Sequence, residues 1–368
     1  TQGTFYNDPR TFDNVTSTDI RTRSGSISES LGRFLQYNTR ASLNYNKTFA
    51  SKHELDLSAV GEYLEYRVKS LNLQGFGIDP RRPNTLAGIT PGSVQNQLVP
   101  IISGGRSVRA LASAMGLAKY TFDKKYTVNL SYRYDGSSQL PQQNRYTTFY
   151  SAGVTWDVLK ENFMRNFSKV NTLRMRASYG TSANADNFPF GDFGYLPQFS
   201  IGADGAGNQT LGVSALGNPA ATWEFTRMFN VGVDFAFFSS RLNGTVEFYN
   251  KLTEQAFANQ SLSLTGGFGA ISANAAKVRN RGIEYNINYD LVRNKNLMLT
   301  LNANGSYNHN EVVSLGQVAN FQQGTSLISV GLPLGTHWEV GWAGVDPASG
   351  RPMYYDAFGN VTNLYSAA

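Results

Sequence analysis

The sequence predicts an all-β protein, a segment of a transmembrane antiparallel β-barrel with long extracellular loops. Three observations predict this class: segments that alternate apolar and polar residues, connections that alternate between short and long, and aromatic residues near the segment ends. Charged residues make up 16% of the chain and aromatic residues 13%. That balance favours strands and turns over exposed helices.

The alternating segments define the strands. In "YTVNLSYRYD", residues 126–135, apolar and aromatic side chains occupy one face and polar side chains the other. The alternation by itself fits either a soluble sandwich, with its apolar face inside, or a membrane barrel, with its apolar face in lipid. The ten predicted strands run at about 33–47, 54–66, 110–122, 126–135, 146–157, 171–180, 223–237, 241–250, 281–291 and 297–308.

The connections favour the barrel. Short connections are predicted at 48–53, 123–125, 238–240 and 292–296, with a longer, partly helical one at 158–170. Long connections are predicted at 67–109, 136–145, 181–222, 252–280 and from 309 onward. Tight periplasmic turns that alternate with large extracellular loops are typical of outer-membrane barrels.

Aromatic residues and strand lengths point the same way. Tyr, Phe and Trp gather near the predicted strand ends, as aromatic girdles at the two membrane interfaces require. The residues meant are Tyr120, Phe122, Tyr126, Tyr150, Trp156, Trp223, Phe235 and Phe237. The segments are also long enough to cross a bilayer while tilted, which takes about 9–11 residues.

Composition excludes several other classes. The chain has no cysteine, so disulfide scaffolds and thiolate metal sites are excluded. The net charge of +6 is spread along the chain without a basic run, which argues against nucleic acid as a partner. No apolar run reaches the length of a membrane-spanning helix, and the polar start resembles no signal peptide.

Several stretches resemble the C-terminal half of the barrel of SusC-like TonB-dependent transporters of Gram-negative outer membranes. They are "KKYTVNLSYRYDGSSQL", "NRYTTFYSAGVTWDVLKENFM", "LRMRASYGTSANAD", "WEFTRMFNVGVDFAFFSSRLNGTVEFYNKLT", "NRGIEYNINYDL" and "VGLPLGTHWEVGWAGVDPASGRPMYYDAFGNVT". The matches occur in family order from about residue 30 to residue 362. Ala183 stands where the family commonly has Gly.

The resemblance implies a 22-stranded barrel filled by an N-terminal plug. Such proteins import oligosaccharides or peptides with energy from TonB, beneath a SusD-like lipoprotein lid. We therefore expect a multi-pass outer-membrane protein, no enzyme activity and no cofactor. Residues 1–368 are predicted to form one barrel segment, with strands over about 33–308 and a long extracellular loop region over 309–368. The plug, the TonB box through which TonB would act and the closing strands are expected outside this chain, which we interpret as a fragment.

The polar faces of the strands give one set of candidate residues. If the apolar faces meet lipid, the charged side chains opposite them line the lumen or contact the plug, since charges facing lipid cost about 2–4 kcal/mol at mid-bilayer. Arg174 and Arg176 are the best candidates to bind plug carboxylates. The full set is Arg40, Arg133, Asp135, Arg174, Arg176, Asp234, Glu247 and Glu284.

The long loops give a second set. Aromatic rings there can stack on sugars or clamp peptide side chains, or else pack the loops together or against a lid. The candidates are Phe188, Phe190, Phe193, Tyr195, Trp338, Trp342, Tyr354 and Tyr355. "DPASG" at 346–350 and "DAFGN" at 356–360 are predicted to be hairpin turns rather than calcium ligands, and no catalytic or metal-binding motif stands out.

Three functions remain open from the sequence. The leading hypothesis is a TonB-dependent, SusC-like nutrient importer in contact with outer-membrane lipid. The alternatives are a porin or adhesin barrel without TonB coupling and a secreted, soluble β-sheet protein that binds glycans.

Overall fold

The computed structural model describes residues 2–5, 25–78, 85–93, 95–184, 188, 191–356 and 358–365. The strands are β1 (Gln2–Phe5), β2 (Ser26–Phe49), β3 (His53–Phe76), β4 (Ile101–Phe122), β5 (Tyr126–Ser137), β6 (Tyr146–Asp157), β7 (Val170–Ala183), β8 (Gln198–Ala203), β9 (Gln209–Ala215), β10 (Phe225–Phe237), β11 (Leu242–Ser261), β12 (Ala270–Arg293), β13 (Met298–Leu315), β14 (Asn320–Gln323), β15 (Ser326–Ser329), β16 (Thr336–His337), β17 (Trp342–Val345), β18 (Pro352–Tyr355) and β19 (Val361–Thr362). Short 3₁₀ turns lie at Leu86–Gly88, Gln142–Asn144, Val158–Lys160, Asn162–Met164 and Leu264–Gly266. In the described part of the chain, no helix has the length and apolarity needed to cross a membrane.

The chain divides into two compact units. The first comprises Thr1–Arg40 and Glu62–Ala112, and the second comprises Ala41–Gly61 and Ser113–Ala368. In the first unit the strand order is β1-β2-β3-β4, and β1 pairs antiparallel with the start of β2.

The second unit is a meander in which each strand pairs with the next strand of the sheet. Its order is β2-β3-β4-β5-β6-β7-β10-β11-β12-β13, where β2, β3 and β4 contribute only their residues in 41–61 and from 113 onward. The β8–β9 hairpin is a separate two-stranded sheet within the connection from β7 to β10, and β14–β16 and β17–β19 form two three-stranded sheets. Neighbour-to-neighbour antiparallel pairing needs only hairpin connections, which matches the turns predicted from the sequence.

All ten predicted strands are present, and β6 matches its predicted bounds of 146–157. The prediction of a long connection at 252–280 is wrong. Most of this segment is strand, because β11 and β12 remain paired as far as Ser261 and Ala270. The connection after β5 likewise shortens to residues 138–145, so short and long connections do not alternate strictly. Both faces of these strand ends carry small and polar residues, so the period-two signal fades although the backbone hydrogen bonds continue.

The predicted short turns are confirmed. Strands are joined across residues 50–52, 123–125, 238–241 and 294–297. Several non-glycine residues there have positive φ, including Ser51 at 55° and Lys124 at 55°. Left-handed residues of this kind suit the tight hairpins whose twist matches the flanking strands.

The connection at 158–169 consists of two 3₁₀ turns anchored to the neighbouring strands. Glu161 accepts hydrogen bonds from the hydroxyl of Tyr126 and, at 3.2 Å, from Nε1 of Trp156. These bonds hold the pKa of Glu161 below its ordinary value, and the bond from the Tyr126 hydroxyl has the largest effect. The predicted partly helical connection therefore forms, as 3₁₀ rather than α-helical turns.

The strand register separates one apolar and one polar face in the second unit. An apolar row crosses six strands through directly opposed residues, in the order Val154, Ala177, Val231, Phe248, Ile283 and Tyr307. The row one residue further along is polar or small: Thr155, Arg176, Gly232, Glu247, Glu284 and Ser306.

The apolar row is exposed. Val154 is 53% exposed, Ile283 48% and Tyr307 68%, and Leu130 on the same face of β5 is 51% exposed. A continuous apolar surface of this extent is far larger than the patches that water-soluble monomers leave open. The buried residues instead cluster where loops pack, around Trp223 and around Val312.

Candidate functional site

The polar face of the second unit brings several predicted lumen residues into two adjacent rows. Arg174 lies directly opposite both Asp157 and Asp234. In the next row, Gly232 lies directly opposite both Arg176 and Glu247. Five of the eight predicted residues, namely Arg174, Arg176, Asp234, Glu247 and Glu284, therefore belong to one surface formed by β7, β10, β11 and β12.

Arg176 is the centre of an ion-pair network on this surface. Its Nη2 lies 3.2 Å from Oδ1 of Asp234 and 3.2 Å from Oε2 of Glu247. The amide of Asn230 donates a hydrogen bond to the other carboxylate oxygen of Glu247. Two carboxylates on two neighbouring strands thus share one guanidinium.

A groove of about 280 Å³ lies beside this network. It is lined by Asn129, Ser151, Ala152, Gly153, Val154, Thr155, Arg176, Ala177, Ser178, Asn230 and Gly232. Nε of Arg176 and Oδ1 of Asn230 are buried without a hydrogen-bond partner among the described residues. A buried donor and a buried acceptor without partners are uncommon, so this groove offers both to a polar group that enters it.

Two other predicted residues form a local pair. Nε of Arg133 lies 2.6 Å from Oδ1 of Asp135, and its Nη2 donates to Oγ of Ser113 at 3.0 Å. Asp135 is 7% exposed. Arg133 and the surrounding chain therefore cover the carboxylate of Asp135.

The remaining predicted residues differ in their pairing. Arg174 lies 4.0 Å from Asp157, which also pairs with Lys160 at 3.2 Å. Glu284 is exposed and has no ion-pair partner in the described part of the chain. Arg40 belongs to the first unit, where its side chain is exposed. Since Arg174 and Arg176 already have carboxylate partners in the sheet, neither is a free cation.

Asparagine side chains form a further polar network that the sequence analysis missed. Asn308 and Asn310 both donate to Oδ1 of Asn280, at 3.2 and 2.8 Å. Asn288 donates to Asn243 at 3.2 Å. The signal was the run of asparagines at polar-face positions of β12 and β13, which supplies uncharged donors and acceptors along the wall.

In the connection from β7 to β10, Phe188, Tyr195 and Ala221 pack around Trp223. Trp223 is 1% exposed and contacts Phe149 and Phe188 edge to face, at ring-centroid distances of 5.9 and 6.2 Å. Its Nε1 donates to the carbonyl oxygen of Arg145 at 3.3 Å. Trp223 is therefore a loop anchor, and its prediction as a membrane-girdle residue is wrong.

Hydrogen bonds fix this loop to its neighbours. Asn274 of β12 bonds both the backbone N–H and the carbonyl of Thr222, each at 2.9 Å. Asn144 donates to the carbonyl of Ala221 at 3.0 Å, and Gln139 donates to Asp192 at 2.9 Å. These bonds join the connection after β5, the long loop and the end of β12 into one assembly.

The predicted loop aromatics divide into buried and open residues. Phe188 is 5% exposed in the Trp223 cluster, so it packs the loops together, as the packing alternative expects. Tyr195 is half-buried against the same cluster, whereas Phe193 is exposed. Phe190 lies outside the described residues.

The second group of loop aromatics lies on the β17–β19 sheet. Trp342 and Tyr354 are opposed residues whose rings meet edge to face at 5.7 Å, and Tyr365 meets Tyr354 at 5.3 Å. Trp342 and Tyr355 are exposed, as is Trp338 in the preceding segment. This sheet therefore presents aromatic surface that the sequence predicted for ligand or lid contact.

A cavity of about 410 Å³ separates the ends of β11–β13 from the β14–β15 hairpin. Its lining includes Glu224, Phe257, Ser272, Phe321 and Ile328. The hairpin is held against β13 because Val312 exchanges backbone hydrogen bonds with Gly331 and Leu332. The volume falls in the range of small-molecule pockets.

Three aspartates stabilise hairpin turns. Oδ1 of Asp356 accepts the N–H groups of Phe358 and Asn360 at 2.8 and 2.9 Å, and Asp204 caps the β8–β9 turn in the same pattern. The bond from the Asn360 N–H lowers the pKa of Asp356, and the bond from the Asn208 amide lowers the pKa of Asp204.

Asp346 acts in the same way in the β17–β18 turn. The hydrogen bond from the Ser349 hydroxyl is the main cause of the lowered pKa of Asp346. The predicted hairpin turns at 346–350 and 356–360 are confirmed. Among the residues that the structure describes, no group of three or more His, Asp or Glu side chains is arranged to hold a metal.

The sequence of this chain is similar to those of known proteins. The family model "TonB dependent receptor-like, beta-barrel" matches residues 1–365. TonB-dependent receptor P39 of Formosa agariphila is 30% identical over 310 residues, which are 83% of this chain and 29% of that protein. TonB-dependent receptor SusC of Bacteroides thetaiotaomicron is 28% identical over 212 residues, or 56% of this chain and 21% of that protein.

Solved structures agree with the sequence relatives. The RagAB peptide transporter superposes with a TM-score of 0.81 at 25% identity, over 93% of this chain and 38% of that chain. The ferric citrate transporter FecA shares the fold, with a TM-score of 0.50 at 12% identity over 79% of this chain and 38% of that chain. The chain thus spans about a third of the length of the relatives that it matches.

Proposed function

The chain belongs to the TonB-dependent receptor-like β-barrel family of the outer membrane, and from this membership we propose that it forms wall and ligand-capturing loops of a TonB-dependent, SusC-like nutrient importer. The observation that carries the proposal is the pair of adjacent rows on the second unit. One row is apolar and exposed, and the next is polar and contains Arg176, Glu247 and Glu284. Lipid on the first face and a polar lumen on the second account for both.

Membership of this family favours import over the alternatives. A secreted soluble glycan-binding protein would bury the apolar row, which is exposed. A porin or adhesin barrel without TonB coupling would share the two faces, so the family match is what favours coupling to TonB. Transport also fits the polar face, where Arg176 pairs with Asp234 and Glu247 and where the described charged groups form no nucleophile with an adjacent base.

The polar rows are proposed to contact a plug supplied by the rest of the polypeptide. Glu284 lies directly opposite Glu247, and only Glu247 pairs with Arg176. An exposed carboxylate without a cation partner is suited to a plug arginine or lysine. The buried Nε of Arg176 and Oδ1 of Asn230 beside it are suited to plug backbone groups.

The exposed aromatics of the β17–β19 sheet are proposed to contact substrate or a SusD-like lipoprotein lid. Trp342, Tyr354 and Tyr355 combine flat rings with an indole N–H or a phenolic hydroxyl, and such groups can contact both sugar rings and peptide side chains. RagAB, which shares the fold closely, is described as a peptide transporter. We propose oligosaccharides or peptides as substrates, captured by these loops.

Uptake by cells tests the proposal. The full-length protein is expressed in a strain with and without TonB, and accumulation of fluorescent oligosaccharide and peptide mixtures is measured. We expect uptake of one class that requires TonB and that falls in W342A/Y355A, whereas F358A, which changes another exposed aromatic residue nearby, has no effect. Equal uptake without TonB would favour a porin and contradict the proposal.

A further inference from the structure

Three cations of the first unit lie on neighbouring strands without acidic partners. Arg33 of β2, Lys69 of β3 and Arg106 of β4 are all exposed and have no ion-pair or hydrogen-bond partner among the described residues. We call these three residues the outer cation row. Arg67 on the same strand as Lys69 differs, because it pairs with Glu65 and lies 5.2 Å from the ring centroid of Tyr37.

Backbone pairing places Arg33 opposite Lys69. Gly77 donates to the carbonyl of Gly25 at 3.1 Å, which fixes the pairing of β2 with β3 at one end. Counting along the antiparallel strands from that pair brings Arg33 opposite Lys69. Asn44 and Ser58, which share a 2.7 Å hydrogen bond, keep the same offset, so no bulge shifts the register between them.

Contacts between β3 and β4 place Arg106 beside Lys69. The backbone N–H of Asp123 donates to the carbonyl oxygen of Lys52 at 2.7 Å, and counting along β3 and β4 from that bond brings Tyr66 opposite Arg109, whose guanidinium lies 4.6 Å from the ring centroid of Tyr66. A Cβ built on Gly104 would lie 2.5 Å from the carbonyl oxygen of Ser70, which is consistent with that register. Moving three residues from Tyr66 and Arg109 brings Lys69 opposite Arg106.

The row lies on the outward side of the sheet. Along β2, Arg33 alternates in phase with the exposed Leu31 and Tyr37, and along β3, Lys69 alternates in phase with the exposed Tyr63. These are the positions of the apolar face in each alternating strand. Cations in this phase therefore face the membrane side, where lipid rather than a plug is the neighbour.

The distance along the strands sets the height of the row. In β2 and β3, about sixteen residues of strand separate Arg33 and Lys69 from the turn at 50–52, which is more than the roughly 9–11 residues that cross a bilayer. The apolar band of such barrels is about 25 Å tall, so the row lies beyond it, at the level of the outer headgroups. Like charges directly opposed on a sheet destabilise it unless an anion lies between them.

We propose that the outer cation row binds the phosphate groups of an anionic lipid of the outer leaflet. Three cations on adjacent strands span about 10 Å, with each neighbour about 5 Å from the next. This spacing lets two or three cations surround one phosphate, while the lipid chains lie along the apolar face below. The proposal rests on the outer-membrane location of the family and not on the identity of any imported substrate.

Lipid retention by the delipidated full-length protein tests the proposal. The probe is monophosphoryl lipid A, compared with its dephosphorylated counterpart, and bound lipid is counted by native mass spectrometry. We expect the phosphorylated form to be retained preferentially and this preference to fall at least about tenfold in R33Q/K69Q/R106Q, since each cation near an anionic lipid surface contributes a gain of about fivefold. The matched control K52Q/K124Q/K295Q removes the same charge at the tight turns and should keep the preference.

Three outcomes would overturn the proposal: equal retention of both lipids by the unchanged protein, an unchanged preference in the triple variant, or an equal loss in the control. Competition by millimolar inorganic phosphate as effective as that of the lipid would also overturn it, because the site would then take free phosphate. The heat-dependent gel shift of folded barrels checks each variant. Should the triple variant fail to fold, K69E changes the central residue alone and should abolish the preference.

Discussion

The side chain of Arg176 crosses Gly232 of β10, where a larger side chain would keep the guanidinium from reaching β11. A Cβ built on Gly232 would lie 3.2 Å from both Cζ and Nη2 of Arg176. With no side chain there, the guanidinium crosses β10 and reaches Glu247 on β11, as well as Asp234 on β10. The glycine thus allows one cation to join three strands of the polar face.

Filling this position should break the network. In G232V the branched side chain displaces the guanidinium from Glu247, and we expect a loss of about 1–3 kcal/mol in stability from overpacking. The midpoint of the heat-dependent gel shift measures it. The control is G153A in the same groove, where a Cβ would meet Ser178 at an ordinary 3.5 Å. A G232V variant as stable as G153A would show that the network contributes nothing.

Removing the two arginines should have unequal effects. R176Q leaves Asp234 and Glu247 without a cation, so we expect it to cost about 1–3 kcal/mol. R174Q leaves Asp157 paired with Lys160, and its cost should stay below about 1 kcal/mol. Comparing the two gel-shift midpoints tests the order. A larger effect of R174Q would mean that the Arg176 network is already screened by solvent.

Trp223 should hold the long loop. In W223A the loss of a fully buried indole costs about 3–5 kcal/mol locally, and the hydrogen bond to the Arg145 carbonyl is lost with it. We expect proteases to cleave within residues 191–224, which include the β8–β9 hairpin, while the strands of the main sheet stay intact. The control W342A removes an exposed indole and should leave this loop as resistant as before. Equal cleavage in both variants would contradict the anchoring role.

Acid should open the turn at Asp356. The pKa of its carboxyl is lowered in the folded turn, so its stabilising bonds are fully present above the unfolded pKa of about 3.9 and are lost as the pH falls through the lower folded value. Hydrogen-exchange protection of the Phe358 and Asn360 amides should therefore be constant from neutral pH to about pH 5 and should fall below about pH 4. D356N keeps an acceptor oxygen and should lose this acid sensitivity. Protection in D356N that falls over the same range would exclude the carboxylate as its cause.

The strands could be predicted from the sequence because alternation records which face each residue occupies. β6 matches residue for residue since both of its ends coincide with changes in that pattern. The outer ends of β11 and β12 could not be predicted, because "AISANAAKVRN" at 270–280 has similar residues on both faces.

The site was only partly predictable. The charged residues of the polar face were identified, but the sharing of Arg176 by Asp234 and Glu247 depends on register across three strands, which one sequence does not encode locally. Trp223 was assigned to a girdle because composition does not separate an aromatic residue facing lipid from one buried beneath a loop.

Charge placed on the two faces of one strand gives the most direct test of the membrane assignment. Leu130 and Asn129 are neighbours on β5, and both are exposed in the structure, but they lie on opposite faces. In a water-soluble protein L130R and N129R would both be nearly neutral, because each side chain would meet water. If the Leu130 face meets lipid, L130R costs about 2–4 kcal/mol near the bilayer centre, whereas N129R adds a cation to a polar groove. We therefore expect L130R to lower refolding yield and gel-shift midpoint in lipid vesicles, with N129R close to the unchanged protein. Equal behaviour of the two variants in vesicles would contradict a lipid-facing apolar row and, with it, the proposed transport function.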